Sequence, residues 1–331
     1  MIDIFRSRGI RPVKFLVLTF LLAVLPIPLC AEGFDEGVRL YNRGEYGQAV
    51  TLFLKVREAS PEDPEVRVWL GKSYLKIREW DKAVREMEKA SQLRPTDAQY
   101  RLWLGRACGA KASNTVFFRA LGWARRLLKE FESARALAPE NLEARFDLLD
   151  FYLNAPGMVG GGKDKAEAEA RAISKLSPRK GYVARAEILR HENKWDLAKK
   201  ELLQAALDFP NDADAYKDLA GFLLERQDFE GAAKHGTKAL ALRKDSKRSR
   251  LIVAAAGIQL RAGLDDSETA LRELASGPLT DSDPSFEEVY YWLGECYTAK
   301  GDKRKAREAF ESALAYNPDY EKAKKELSKL R

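Results

Sequence analysis

Small residues recur in this chain at an interval of 34 positions: Ala49 and Ala83, Pro61 and Pro95, Gly71 and Gly105, Ala198 and Ala232. A repeat that short cannot bury its own apolar side. It must stack on the next copy, so such a chain becomes a row of units rather than a globule around one centre. The clearest unit is Tyr290–Pro318. Leu293-Gly294 and Tyr297 mark a first helix; Ala306, Phe310 and Ala313 mark a second. Gly294 and Ala306 are small where the two helices cross, so the backbones can approach, and Leu293, Tyr297 and Phe310 fill the space beside them. Gly301-Asp302 turns the chain between the helices and Pro318 stops the second. An alternating strand pattern is missing, while Ala, Leu, Lys, Arg and Glu dominate, so the fold class is all-α.

The Tyr290–Pro318 stretch closely resembles one tetratricopeptide repeat, with Leu-Gly and Tyr in its first helix, Ala and Phe in its second and Pro after it. The resemblance covers about residues 32–331. It implies a right-handed α-solenoid of about eight helix–turn–helix repeats with Glu321–Leu330 as a C-terminal capping helix of an open-ended stack. Repeat two carries Leu70-Gly71, Tyr74, Ala83, Ala90 and Pro95; repeat five Ala186, Leu189, Ala198 and Pro210; repeat six Leu219-Ala220, Phe229 and Ala232. Repeat seven, about Lys247–Pro278, is degenerate. Repeat three breaks register, because its closing Pro139 comes 44 residues after Pro95. Its first helix is placed at about Ala98–Gly109, and the additional residues lengthen its second at the beginning, with Ser113 or Asn114 as the cap. Repeats three and four, with their Ala-Pro and Gly-Gly loop, are also similar to a subgroup of bacterial repeat proteins and to animal microtubule-dynamics regulators, which implies no chemistry.

Residues 1–31 read as a signal peptide: Arg6, Arg8, Arg11 and Lys14, then the apolar run Phe15–Leu25, then Leu29-Cys30-Ala31 before cleavage after Ala31. The expected location is therefore exported, periplasmic or secreted, in a Gram-negative envelope. Retention of the segment as an anchor, or lipidation at Cys30, stays open, and either would be the route to a membrane. Without this segment the chain holds 53 basic and 49 acidic residues, a balance that argues against a nucleic-acid partner. Cys108 and Cys296 fall at inward helix positions and read as small buried residues, too many repeats apart to pair.

Binding candidates come from two surfaces. Lys72, Lys76, Arg101 and Arg106 lie just outside the Leu-Gly cores of repeats two and three, on the helices that line the concave face. They suit an acidic peptide segment or a C-terminal carboxylate of a protein partner. The resemblance to chaperone-binding relatives would also imply groove asparagines, which Val66–Lys76 and Ala98–Gly109 lack. Arg119, Trp123 and Arg126 form the second candidate, since Trp and Arg are favoured in partner hot spots; packing of Trp123 on a neighbouring helix is the alternative. Gly157–Asp164 nearly spells a phosphate-binding loop, the basis of an alternative reading as a nucleotide-dependent enzyme. Asp164 replaces the required hydroxyl, and a helix rather than a strand precedes the loop. Two histidines, no metal-spaced cluster and no nucleophile motif leave no catalytic residue, cofactor or metal to assign, and no cavity rich in titratable groups is expected. The function expected is a non-enzymatic scaffold or adaptor that holds a partner peptide or helix in its concave groove.

Overall fold

The computed structural model describes residues 27–330, and the described residues form seventeen α-helices and no strand. They pair as α1 (Ile27–Asn42) with α2 (Tyr46–Ala59), α3 (Pro64–Lys76) with α4 (Trp80–Leu93), α5 (Ala98–Ser113) with α6 (Phe117–Leu137), and α7 (Leu142–Asn154) with α8 (Lys163–Leu176). Then follow α9 (Pro178–His191) with α10 (Trp195–Asp208), α11 (Ala213–Glu225) with α12 (Phe229–Leu242), α13 (Lys247–Gln259) with α14 (Leu264–Ser276), and α15 (Phe286–Lys300) with α16 (Lys303–Tyr316). The single helix α17 (Glu321–Lys329) packs on α16. These are the eight repeats and final helix read from the period. The expected export segment, residues 1–31, falls largely outside the described residues, as does the Cys30 side chain.

Six of the eight first helices, those from α3 to α13, start at a side-chain cap. Asp63 accepts from the Glu65 amide with Pro64 at the first helical position, Asp97 accepts from Gln99 and Tyr100, and Ser177 precedes Pro178. Inside a repeat the small residues do what their spacing suggests. A Cβ on Gly294 would stand 2.4 Å from the Phe310 ring, and both Ala306 and Phe310 are fully buried. A second device was not visible in the apolar pattern. An Arg on the first helix, one turn before the Leu-Gly position or its equivalent, pairs with a Glu on the following helix. The pairs are Arg67–Glu86 at 2.9 Å, Arg101–Glu130 at 2.9 Å, Arg145–Glu169 at 2.7 Å and Arg185–Glu201 at 2.8 Å. Glu86 and Glu169 also receive Arg57 and Arg135 from the second helix of the preceding repeat, so these carboxylates tie successive repeats together.

Three expectations need correction. Ser113 and Asn114 do not begin a helix: Ser113 ends α5, the Asn114 backbone amide donates a hydrogen bond to the Lys111 carbonyl and closes it, and Val116 precedes α6 without a side-chain cap. Both arms of the third hairpin are therefore lengthened, because the run Ala110–Ser113 contains no helix breaker. The second concerns the stack, which is not open-ended. The Leu279 amide donates to the Asn42 carbonyl at 2.6 Å, the Tyr41 hydroxyl donates to Asp281 at 2.7 Å, and Arg78 pairs with Asp319. Tyr316 meets Tyr46 edge-on with 6.2 Å between ring centroids. A Cβ on Gly44, whose φ is +77°, would strike Tyr316 at 2.8 Å and Phe286 at 2.9 Å. Small rotations from one repeat to the next add up until repeat eight returns to repeat one. The third correction follows from that closure: it creates a cavity with charged walls.

Candidate functional site

The cavity holds about 990 Å³ and is lined by α1, α3, α5, the start of α7 and the segment Thr280–Ser282 between α14 and α15. Its centre is Lys72. The ammonium lies 4.2 Å from the ring centre of Trp69 and 4.2 Å from that of Trp103, and bonds the Asp281 carboxylate at 3.0 Å. An ammonium between two indoles is attracted by the electron-rich faces that the quadrupole of each neutral ring presents. One turn along α3, Lys76 lies 5.7 Å from the Tyr46 ring centre and also faces the cavity. Arg106 stacks on Trp103 at 4.8 Å and bridges Glu143 and Asp147, each at 2.7 Å. Both carboxylates belong to α7, so Arg106 also ties repeat three to repeat four.

Asp281 sits where opposing effects meet. Burial works to raise its carboxyl, but Lys72 and the donating Tyr41 hydroxyl outweigh burial and hold it below the usual carboxylate range. Tyr41 is pushed strongly upward, first by burial and then by that same carboxylate, so its proton stays in place to donate. The cavity can thus hold a carboxylate with an ammonium, a hydroxyl and two aromatic faces. Among the described residues no group of histidines, cysteines and carboxylates could hold a metal ion.

Of the residues singled out in the sequence, Lys72, Lys76 and Arg106 come together here. Arg101 does not; it turns to the second-helix side and bonds buried Glu130. Trp123 packs against the cluster that includes Leu104, Ala107 and Cys108, and Arg126 lies 5.7 Å over its ring while bonding Glu88 at 2.6 Å. Arg119 is exposed. Cys108 and Cys296 are buried free thiols, pushed up to about 12 and about 11 mainly by that burial.

The Gly157–Asp164 loop follows helix α7 and contains a single 3₁₀ turn, Gly157–Val159, with Val159 buried. Lys163, the residue a nucleotide would need, bonds Glu192, and hydrogen bonds from Lys163 and Lys194 lower the Glu192 carboxyl to about 2. The strand–loop–helix setting of a phosphate-binding loop is not present at this segment.

Sequence reasoning overlooked Trp69, Trp103, Tyr41 and Asp281. A signal existed for two of them. Trp69 and Trp103 are 34 residues apart, as are Lys72 and Arg106, so the same side of the groove is built twice. Asp281, by contrast, joins the site only through closure of the stack.

Comparison with known proteins agrees with the repeat reading. Tetratricopeptide repeat models match residues 40–106, 183–247 and 287–320, together about half of the chain. A search of curated proteins found no significant match. Solved structures that resemble the chain include the anaphase-promoting complex hetero-tetramer Cut9–Hcn1, with 17% identity, TM-score 0.47 and coverage of 88% of this chain. This chain spans 54% of that one. Another is a thermophilic repeat protein of Thermus thermophilus, with 20% identity, TM-score 0.42 and coverage of 69% and 98%. A third is YrrB, described as having an unusual peptide-binding site, with 15% identity, TM-score 0.35 and coverage of 74% and 100%. The 34-residue period, the eight helix pairs and the three matched spans lead to one family: the chain is a member of the tetratricopeptide repeat proteins.

Proposed function

We propose that this protein is an adaptor that does no chemistry and binds an acidic segment of a protein partner in the cavity built on Trp69, Lys72, Lys76, Trp103 and Arg106. The observation that carries the reading is the Asp281 carboxylate, which already rests on Lys72 and Tyr41 inside a cavity of about 990 Å³. A partner carboxylate would meet the same donors, and its neighbouring apolar atoms would lie against the two indoles. Lys76 offers a second ammonium one helical turn away. The leader-like pattern of residues 1–31 motivates a place for this adaptor in the cell envelope, either released after Ala31 or held by its N-terminus.

A photo-crosslinking residue at Trp103, compared with one at exposed Arg171 outside the groove, tests the site in cells. We expect a discrete crosslinked partner only from position 103, lost in the Lys72→Glu/Lys76→Glu protein. Equal crosslinking from both positions, or a product indifferent to the charge reversal, would defeat the reading. Sequencing the N-terminus of the protein recovered from fractionated cells tests the location: a start at Glu32 in the envelope fraction is the expected result, and an intact Met1 in the cytosol the opposing one.

A further inference from the structure

The α5–α6 hairpin reaches beyond its neighbours. Helix α6 has 21 residues where α4 and α10 have 14. Measured from Ala134 and its counterpart Ala90, the additional length lies wholly at the start of α6, which makes the tip stand out by about 10 Å. That tip is apolar and uncovered: Val116, Phe117 and Phe118 are 67%, 63% and 85% exposed. Met158, 65% exposed, belongs to the adjacent turn, whose carbonyl accepts a hydrogen bond from Arg125. Among the described residues no other Phe, Tyr or Trp side chain is exposed, so two phenylalanines beside a valine at a protruding end call for an occupant.

Charge names the occupant. Between Asp97 and Glu130 the chain has no acidic residue, but it has seven basic ones. Four of these are neutralised within the fold: Arg101 by Glu130, Arg106 by Glu143 and Asp147, Lys111 by Asp81, and Arg126 by Glu88. Arg119, Arg125 and Lys129 are exposed and, among the described residues, make no ion pair. Phe118, Gly122, Arg125 and Lys129 succeed one another along one exposed face of α6, with Arg119 beside it. Aromatic rings therefore come first and cations behind them. That order matches a bilayer surface, where rings enter the boundary of the acyl chains and cations stay level with anionic headgroups. A second copy of the chain would bring the same positive charge to the same place, which opposes self-association. The first turn of α6 also lacks a side-chain cap, so its amide donors face outward toward any phosphate oxygens.

We propose that the Val116–Phe118 tip, with Arg119, Arg125 and Lys129, docks the protein on an anionic membrane surface. None of these residues lines the Lys72 cavity, so the tip would hold the adaptor on the bilayer while the groove stays open to a partner. This contact does not depend on the groove reading or on the fate of the N-terminus.

Hydrogen exchange read by mass spectrometry on the full chain separates the tip from any N-terminal anchor, because it reports each segment by itself. With phosphatidylglycerol vesicles, amide exchange over residues 114–120 should slow about tenfold, and it should not slow with phosphatidylcholine vesicles or in molar salt. In Phe117→Ser/Phe118→Ser the protection should vanish while the rest of the chain exchanges as before. Arg119→Glu/Arg125→Glu, which keeps both rings, should lose most of it and serves if the first variant folds poorly. Unchanged exchange at the tip with anionic vesicles, or protection that survives both variants, overturns the proposal. So does protection that appears without lipid as concentration rises, with a doubled mass by light scattering, since that assigns the tip to a second copy.

Discussion

Within repeat eight, Phe310 is wholly buried against Gly294, and α15 and α16 cross over a layer of Ala306, Ala309 and Ala313. Where the far end of the stack meets repeats one and two, Tyr316 meets Tyr46 at an edge, Asp281 of the segment before α15 holds Tyr41 and Lys72, and one backbone hydrogen bond joins Leu279 to Asn42. The first junction is made of shape and apolar area. The second is a handful of polar and aromatic contacts. They come from the same helix pairs, but sequence neighbours are brought together by a short turn, whereas the ends of the stack meet after seven further repeats. Any small change in the rotation between repeats accumulates over that distance, so the seam must tolerate misfit in a way the repeat interior does not.

Four outcomes would break or sharpen that contrast. Phe310→Ala removes a fully buried ring from a tight crossing and should cost about 3–5 kcal/mol, read as a shift of the urea midpoint. A loss below about 1 kcal/mol would mean that repeat interiors are no stronger than the seam.

Glu169→Ala should follow closely, at about 3 kcal/mol, because it strands Arg135 and Arg145 around a site where the carboxylate side chain is only 5% exposed. Here Glu169→Gln is the sharper measurement: it keeps the shape, so a loss nearly as large shows that charge holds the repeats together.

Asp281→Asn should cost only about 1 kcal/mol, yet change the outline of the molecule. We expect small-angle scattering to show a larger radius of gyration as repeats one and eight part, with helix content unaltered. A particle of the same size would show that the aromatic contacts close the stack without the ion pair. If the groove reading holds, the same variant should also bind an acidic peptide more tightly, because the internal carboxylate no longer neutralises Lys72.

The smallest expected effect is that of pH. Lys72 and Tyr41 hold the Asp281 carboxyl below its unfolded value, so the folded protein takes up that proton later than the unfolded chain does. Its contribution is complete above the unfolded value, about 3.9, and declines as pH falls through the lower folded one. The scattering radius should therefore rise under acid in the parent protein and rise less in Asp281→Asn, where, among the described residues, only the Asp319–Arg78 pair remains to be lost across the closure. Parallel acid curves would assign the opening to other carboxylates.

The sequence carried the architecture because the 34-residue period is a local property. Gly294 and Phe310 are 16 residues apart, and the reason one is small and the other large can be read from their spacing alone. The candidate site was legible in part for the same reason. Lys72 and Arg106 stand at one repeat position, and so do Trp69 and Trp103, although only the first pair drew notice. Arg101 was placed on the wrong side, since a helical position just outside the apolar stripe can turn either toward the groove or toward Glu130 on the partner helix.

What the residues determined by themselves was the unit: which helices pair, where most of them lie, and that the described residues form no sheet. Only the tertiary structure decided that eight such units close on one another, that Asp281 reaches Lys72 across 209 positions, and that the third hairpin leaves Phe118 in the open. Pairing within a unit depends on contacts a few residues to a few turns apart, which patterning encodes directly. Closure depends on the sum of many small rotations between units, and no single residue carries that sum.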